Sequence, residues 1–175
     1  MTIRDLRVVE FLQEFKIART SVLSSLFFGG NKRVAQRRLK AIVDEKAINR
    51  VFEGEYVYYS KLPKQYSHSL ALTDYIAYLA KEYSIDLASA RAEYKCGDAR
   101  ADALLTISGK PCFVEVQLTD AADIAKYLAL KTSRAWENSF KSFPAIRVLG
   151  RTPSNRYGLD VYVDNPKNVY SFNIR

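Results

Sequence analysis

Apolar positions recur at helical spacing three times early in the chain and then switch to alternation. Leu6, Val9 and Phe11-Leu12 predict a helix running to about Phe15. Thr2, with Asp5 three residues later, opens it as a capping box in which Asp replaces the usual Glu or Gln. Val22, Leu23 and Leu26 predict a second helix, capped by Thr20 and stopped at Gly29-Gly30. Asn31 caps a third helix that reaches about Lys46, with Ala35, Leu39, Ile42 and Val43 as its apolar stripe. Residues 48–52 and 56–59 are β-prone runs around Glu53-Gly54-Glu55, which is a hairpin signal. The polar segment 61–67, broken by Pro63, predicts a boundary between a first domain, 1–66, and a second, 67–175.

The second stretch begins with a helix over 68–83, capped by Ser67 and carrying Leu72, Tyr75-Ile76, Leu79 and Tyr83 on one side; His68 is a residue of its first turn. Three β-prone segments follow, 89–96, 100–107 and 111–118, punctuated by Gly97-Asp98 and Ser108-Gly109. A helix over 120–137 has Ile124, Tyr127-Leu128, Lys131 and Ala135 on one face. Segments 145–149, 159–163 and 169–174 are expected as strands. The expected class is α+β: a helical module with a hairpin, then a small α/β domain with a mixed sheet.

Charge changes the picture in the first module. The net charge is +8, and residues 1–67 hold 13 Lys and Arg against 7 Asp and Glu. A field of that sign attracts polyanions. Residues 31–40 contain five basic residues and no acid. Arg33, Gln36, Arg37 and Lys40 fall at i, i+3, i+4 and i+7, on a face away from the apolar stripe, with Lys32 at the helix start. Two helices, a turn, a basic helix and a hairpin form the pattern of a winged helix-turn-helix. Double-stranded DNA is then the expected partner: Arg reads guanine, Gln reads adenine, and Lys and Arg hold phosphates. Arg50 in the hairpin, with Tyr56, Tyr58 and Tyr59, can add backbone contacts, although phosphates would repel Glu53 and Glu55. A solvated basic face and a protein-docking module are the alternatives.

Other classes are excluded or disfavoured. No apolar run approaches the ~18 residues of a membrane span, and the start lacks a signal-peptide core, so a cytoplasmic protein without a membrane partner is expected. Cys96 and Cys112 make neither a disulfide framework nor a four-ligand zinc site, and are expected as buried small hydrophobes. The lone His68 removes His–His metal pairs and makes a Ser-His-Asp hydrolase improbable. Gly29-Gly30 is not followed by the Gly-Lys-Ser/Thr of a phosphate loop.

The second domain carries a carboxylate pattern. Asp102 begins a strand in Arg100-Ala101-Asp102-Ala103. Glu115 and Gln117 share one strand face, and Val114 and Val116 the other. If Asp102 meets Glu115 across the strand pair, the two carboxylates can bind Mg²⁺ and polarise a phosphodiester.

These residues resemble the PD-(D/E)XK nuclease superfamily, with Asp102 as its motif Asp and Glu115-Val116-Gln117 in place of the (D/E)-X-K triplet. The whole chain is similar to the replication-relaxation family of plasmids, phages and other mobile elements. That likeness rests on a winged helix ahead of an Arg-x-Asp-Ala strand, a Glu-containing strand, and the late segment Phe143-Pro144-Ala145-Ile146-Arg147-Val148-Leu149 followed by Arg156. The resemblance implies a further acid, Glu82 or Glu93, and a lysine where this chain has Gln117. Lys131 is the candidate for a lysine that has moved elsewhere. The expectation is a DNA-binding regulator of transcription or replication in a mobile element. It would be a homodimer whose inactive nuclease-like domain serves dimerisation or DNA contact, with no cofactor. A Mg²⁺-dependent endonuclease or nickase with Asp102, Glu115, Gln117 and Lys131 at its site stays open, as does a docking module of a replication complex.

Overall fold

The computed structural model describes residues 1–121, 123–151, 153 and 155–173, and the protein is α+β. It divides into two compact units, the first Met1–Lys81 with Phe172 and Asn173 and the second Glu82–Ser171. The division falls after the long helix that follows the polar 61–67 segment, whereas the expected boundary lay before it. Among the described residues no helix is long and apolar enough to cross a membrane.

The first unit runs α1 (Ile3–Phe15), β1 (Ile17–Arg19), α2 (Thr20–Phe27), α3 (Lys32–Asp44), β2 (Asn49–Glu53), β3 (Glu55–Tyr59) and α4 (Tyr66–Glu82). The capping box of α1 forms as the sequence predicts, with the Thr2 hydroxyl accepting from the Asp5 N–H and the Asp5 carboxylate accepting from the Thr2 N–H. The α1 stripe differs from expectation: Leu6 is exposed, and Asp5 is fully buried. Thr20 is not a cap. Arg19 holds the N-cap position of α2, and the Thr20 hydroxyl instead donates to the Tyr56 carbonyl at 2.7 Å. Asn31 caps α3 by accepting from the Val34 N–H at 3.1 Å. Ser67 lies inside α4, which starts two residues earlier than a Ser67 cap allows.

The hairpin turns at Gly54, whose φ of +77° is one that a side chain disfavours, and pairs Phe52 with Tyr56 and Glu53 with Glu55. The strand β1 was not expected, because three residues are too few to show a period. It pairs antiparallel with β3, giving a sheet of order β1-β3-β2. Each of α1, α2 and α3 packs on the other two, and Val8, Leu12, Val22, Leu23, Ala35, Leu39 and Ile42 are fully buried. Ile17, Val57 and Leu70 form a second apolar cluster that ties β1, β3 and α4 together.

The second unit contains β4 (Arg91–Ala92), β5 (Lys95–Cys96), β6 (Ala99–Arg100), β7 (Ala103–Ile107), β8 (Lys110–Ala121), α5 (Ala125–Ser133), β9 (Ala145–Arg151), β10 (Val161–Asp164) and α6 (Pro166–Asn173). The expected strand over 89–96 is broken, because Glu93 takes a positive φ of 49°. Five strands form a mixed sheet of order β10-β9-β8-β7-β4; β8, β9 and β10 run parallel, and β4, β7 and β8 alternate in direction. The helix expected from residue 120 starts at Ala125, because β8 continues to Ala121. It also ends early: a 3-10 turn carries Ala135–Asn138. The segment expected as a strand over 169–174 lies in α6 as far as Asn173, and Ile174 is outside the described residues. Asn165-Pro166 is the overlooked start signal: the Asn165 side chain accepts from the Lys167 N–H at 2.9 Å, and Pro166 takes the first helical position.

The odd positions of β8 face α5. Phe113 stacks on Tyr127 with ring centroids 5.0 Å apart, inside a cluster with Ile124, Leu130, Ile146 and Val148. Val114 and Val116, on the opposite side, are also buried, so β8 is covered on both faces.

Candidate nucleic-acid interface and carboxylate cluster

The basic face of α3 is open. Lys32, Arg33, Gln36, Arg37 and Lys40 are all exposed, while Ala35, Leu39 and Ile42 of the same helix are buried. Among the described residues neither Arg33 nor Arg37 is paired with an acid. Lys40 reaches Asp44 one turn later, at 2.6 Å. Both ends of that pair are more than half exposed, and such pairs contribute only about 0.3–0.5 kcal/mol, so a phosphate can compete for the ammonium.

The fifth cation of the segment, Arg38, does something the sequence did not reveal. It turns inward and donates through Nε to Asp5 Oδ1 at 3.3 Å and through Nη2 to Asp5 Oδ2. Burial pushes the Asp5 carboxyl up, but the Arg38 guanidinium and the Thr2 N–H outweigh it and hold the group below its ordinary value of 3.8. One carboxylate therefore caps α1 and anchors α3 to it. That fixes the rotation of α3 and leaves its other cations facing out.

The hairpin is tied to the same unit by its acids. Glu55 does not project to solvent: its carboxylate accepts from the Ser21 N–H at 3.1 Å and the Ser21 hydroxyl at 3.2 Å, at the start of α2. An acid at a helix N-terminus is favourably placed. Arg50 lies over the Tyr56 ring, 4.4 Å from its centroid, so its guanidinium is stacked on the hairpin, and Tyr58 is fully buried. A cleft of about 430 Å³ separates the hairpin from α3; Lys32 and Gln36 line one side, and Phe52 and Tyr56 the other.

In the second unit Asp102 and Glu115 come together. Asp102 immediately precedes the register pair Ala103↔Val114, and its carboxylate accepts from the Val116 N–H at 2.7 Å. Glu115 is 3% exposed. Its Oε1 accepts from the Tyr127 hydroxyl and meets the Lys126 ammonium at 2.7 Å. Burial pushes the Glu115 carboxyl up; Lys126 and Tyr127 oppose this, and nearby Asp102 adds to it. Burial and the adjoining carboxylate together push the Tyr127 hydroxyl far up as well, so it stays protonated and donates.

Lys131 is not part of this cluster. It is exposed, with its ammonium 3.4 Å from the Gly158 carbonyl and 5.7 Å from the Phe143 ring centroid. Lys126 supplies the cation instead, and it also donates to the Arg100 carbonyl at 2.6 Å. Helical spacing from Ile124 and Tyr127 put Lys131 on the sheet-facing side, but Leu130 takes that place. The signal for the true start was Asp123, whose carboxylate accepts from the Ala125 N–H at 3.0 Å and leaves Lys126 in the first turn. Gln117 is half-buried, paired in register with Gly150. Glu93 is exposed and bound to Arg100 at 2.8 Å, and Glu82 is exposed at the end of α4.

The donor set decides whether a resident metal fits. Mg²⁺ requires oxygen ligands that can approach to about 2.0–2.1 Å. Lys126 and Tyr127 cover one Glu115 oxygen, and the Val116 N–H holds one Asp102 oxygen. Among the described residues no group of three Asp, Glu, His or Cys side chains gathers to hold an ion. The Lys126 ammonium balances the Glu115 charge from within the cluster, and a resident Mg²⁺ would be held by Asp102 and Glu115 in competition with these contacts. Cys96 and Cys112 are both buried free thiols, and burial pushes Cys112 up to about 12, which removes it as a nucleophile.

No family model matches this chain, and no curated protein does either. Among solved structures, protein VC1899 from Vibrio cholerae is similar over 97% of this chain, with 11% sequence identity and a TM-score of 0.38. This chain spans 49%, about half, of that protein's length.

Proposed function

We propose that this protein is a DNA-binding regulator of a mobile element, acting in transcription or replication, and that α3 is its recognition helix. The observation that carries the reading is the row Lys32, Arg33, Gln36, Arg37 and Lys40: exposed along one helix whose opposite face is buried, with Arg38 drawn inward to hold the helix in place. The element order α1, β1, α2, α3, β2, β3 supports a winged helix-turn-helix. The order α4, β4, β7, β8, α5, β9 supports a PD-(D/E)XK-like second domain. In that domain the Lys126–Glu115 pair supports a retained scaffold that sets oligomeric state or adds DNA surface. A homodimer would present two recognition helices to a two-fold site.

The experiment is fluorescence anisotropy with labelled duplex DNA. Wild type binds, and Arg37→Ala, which keeps the fold because the side chain is exposed, loses about 1–3 kcal/mol of affinity. Lys167→Ala, an exposed cation of the second unit, is the control and binds as wild type does. Failure of wild type to bind any duplex at low salt overturns the reading and favours a protein-docking module.

A further inference from the structure

A groove of about 420 Å³ lies between the start of α1 and the end of α2, and its two walls differ in chemistry. Leu26 and Phe27 of α2 are apolar and half-buried, and α1 contributes Ile3, Arg4 and Arg7. Ile3 is 75% exposed, and Met1 and Leu6 near it in sequence are exposed as well. Arg4 is propped on the Phe28 ring, 5.6 Å from its centroid. Among the described residues neither Arg4 nor Arg7 is paired with an acid. An exposed apolar strip rimmed by arginines has the composition of a protein interface.

The hairpin tip of the same unit is its chemical complement. Phe52 is the most exposed aromatic side chain among the described residues, at 65%, and the next residue is the exposed acid Glu53. Successive strand residues point to opposite faces, so the tip carries a ring on one side and a carboxylate on the other. The Phe52 ring is braced edge-to-face on Tyr56 at 5.3 Å, and Glu53 lies close to the Tyr66 hydroxyl. The tip does not reach the groove of its own chain. Thr20 and Ser21, at the start of α2, hold the Tyr56 carbonyl and the Glu55 carboxylate. Leu26 and Phe27 are at the far end of that helix, about 10 Å along it.

We propose that copies of this chain associate head to tail, the hairpin tip of one seated in the α1–α2 groove of the next. The Phe52 ring takes the apolar wall of Leu26 and Phe27, and the Glu53 carboxylate takes the cationic wall of Arg4 and Arg7. Opposite charges meet across the contact, which fixes its orientation. The contact is heterologous: each copy offers one tip and one groove, so association continues along a row unless it closes into a ring. One tip in one groove is a small interface, so the association is weak and concentration-dependent. It gives a task to an acid that phosphates would repel. The contact uses none of the outward α3 cations, so it does not depend on the DNA-binding reading above.

The test uses the full-length protein and two variants altered only at exposed positions, each with a circular-dichroism melting curve matching wild type. Arg4→Glu/Arg7→Glu spoils the groove and keeps the tip; Phe52→Ala/Glu53→Lys spoils the tip and keeps the groove. Sedimentation velocity over a concentration series follows association. Wild type forms species that grow with concentration, and each variant alone associates about tenfold more weakly or worse. Mixed in equal amounts, the variants form a pair that grows no further, because each pair holds one sound tip and one sound groove. Wild type that stays monomeric throughout overturns the proposal, and so does a mixture that fails to pair. Association that survives in both variants also overturns it, by assigning self-association to another surface. Monomeric wild type that captures an acidic, phenylalanine-containing peptide, with the capture lost in Arg4→Glu/Arg7→Glu, assigns the groove to a foreign partner and overturns head-to-tail association.

Discussion

Replacing Gly150 by alanine should destabilise the second unit without disturbing DNA binding by the first. Gly150 lies on β9 opposite Gln117 of β8, at a φ of +147°. A Cβ at that position would fall 2.0 Å from the Gln117 carbonyl oxygen and 2.9 Å from its carbon. Both are backbone atoms, so no rotamer change relieves the overlap; one strand must move from the other. Forcing extra atoms into packed structure costs about 1–3 kcal/mol. The backbone conformation, which L-residues disfavour, adds about 1–3 kcal/mol more. A total of about 2–6 kcal/mol is a large part of a typical stability of about 5–15 kcal/mol. At about 2–4 °C per kcal/mol for a chain of this size, the melting midpoint falls by at least 4 °C or so. The assay is built in, because Trp136 is the single tryptophan and packs edge-to-face with Phe143 in the second unit. Its fluorescence follows unfolding of that unit, and duplex affinity at low temperature follows the first. An unchanged Trp136 midpoint in Gly150→Ala would refute the close β8–β9 approach that frames Glu115 and Gln117.

Three further outcomes follow from the charged groups. Asp5→Asn lowers stability at neutral pH, because the carboxylate holds both Arg38 and the α1 cap; since its folded pKa lies below the ordinary 3.8, the deficit relative to wild type shrinks as the pH falls through that region, as urea midpoints at pH 7 and pH 3 will show. Glu115→Gln behaves oppositely. Burial raises that carboxyl above its ordinary 4.5, so wild type gains stability relative to the variant as the pH falls from 7 toward that range and the group takes up its proton, as the same urea midpoints will show. Incubation of supercoiled plasmid with Mg²⁺ or Mn²⁺ leaves it uncut by wild type and by Asp102→Ala alike; cleavage by wild type that is lost in Asp102→Ala contradicts the balanced ion pair described for this cluster.

Local signals carried much of this organisation. Asn31 before an apolar stripe, glycines after Leu26, and Glu53-Gly54-Glu55 between β-prone runs are short-range features, and each marks the element it predicts. The alternation that sets Glu115 apart from Val114 and Val116 was equally legible, since a strand has a period of two. What was hidden depends on contacts between residues distant in sequence. Nothing near Arg38 distinguishes it from Arg37, and only Asp5, 33 residues away, turns it inward. Glu55 looked like a repulsive tip because its partner Ser21 belongs to another element. Lys126 was missed for a different reason: Leu130, and not Lys131, continues the buried face from Ile124 and Tyr127, so the sheet-facing side lies one residue away from where the spacing put it. The α6 segment looked like a strand because its aromatics and Val169 outweighed Asn165-Pro166, a start signal of only two residues.

The account depends most on the outward cations of α3, and salt dependence of DNA affinity measures them directly. Each phosphate contact contributes about 0.9 to the slope of log affinity against log salt concentration. Wild type and an Arg33→Ala/Arg37→Ala double variant are titrated with one duplex across a range of salt. The account predicts steep salt dependence for wild type, and for the variant both weaker binding and a slope reduced by about 1–2. A variant with wild-type affinity and the same slope would show that α3 does not face the DNA.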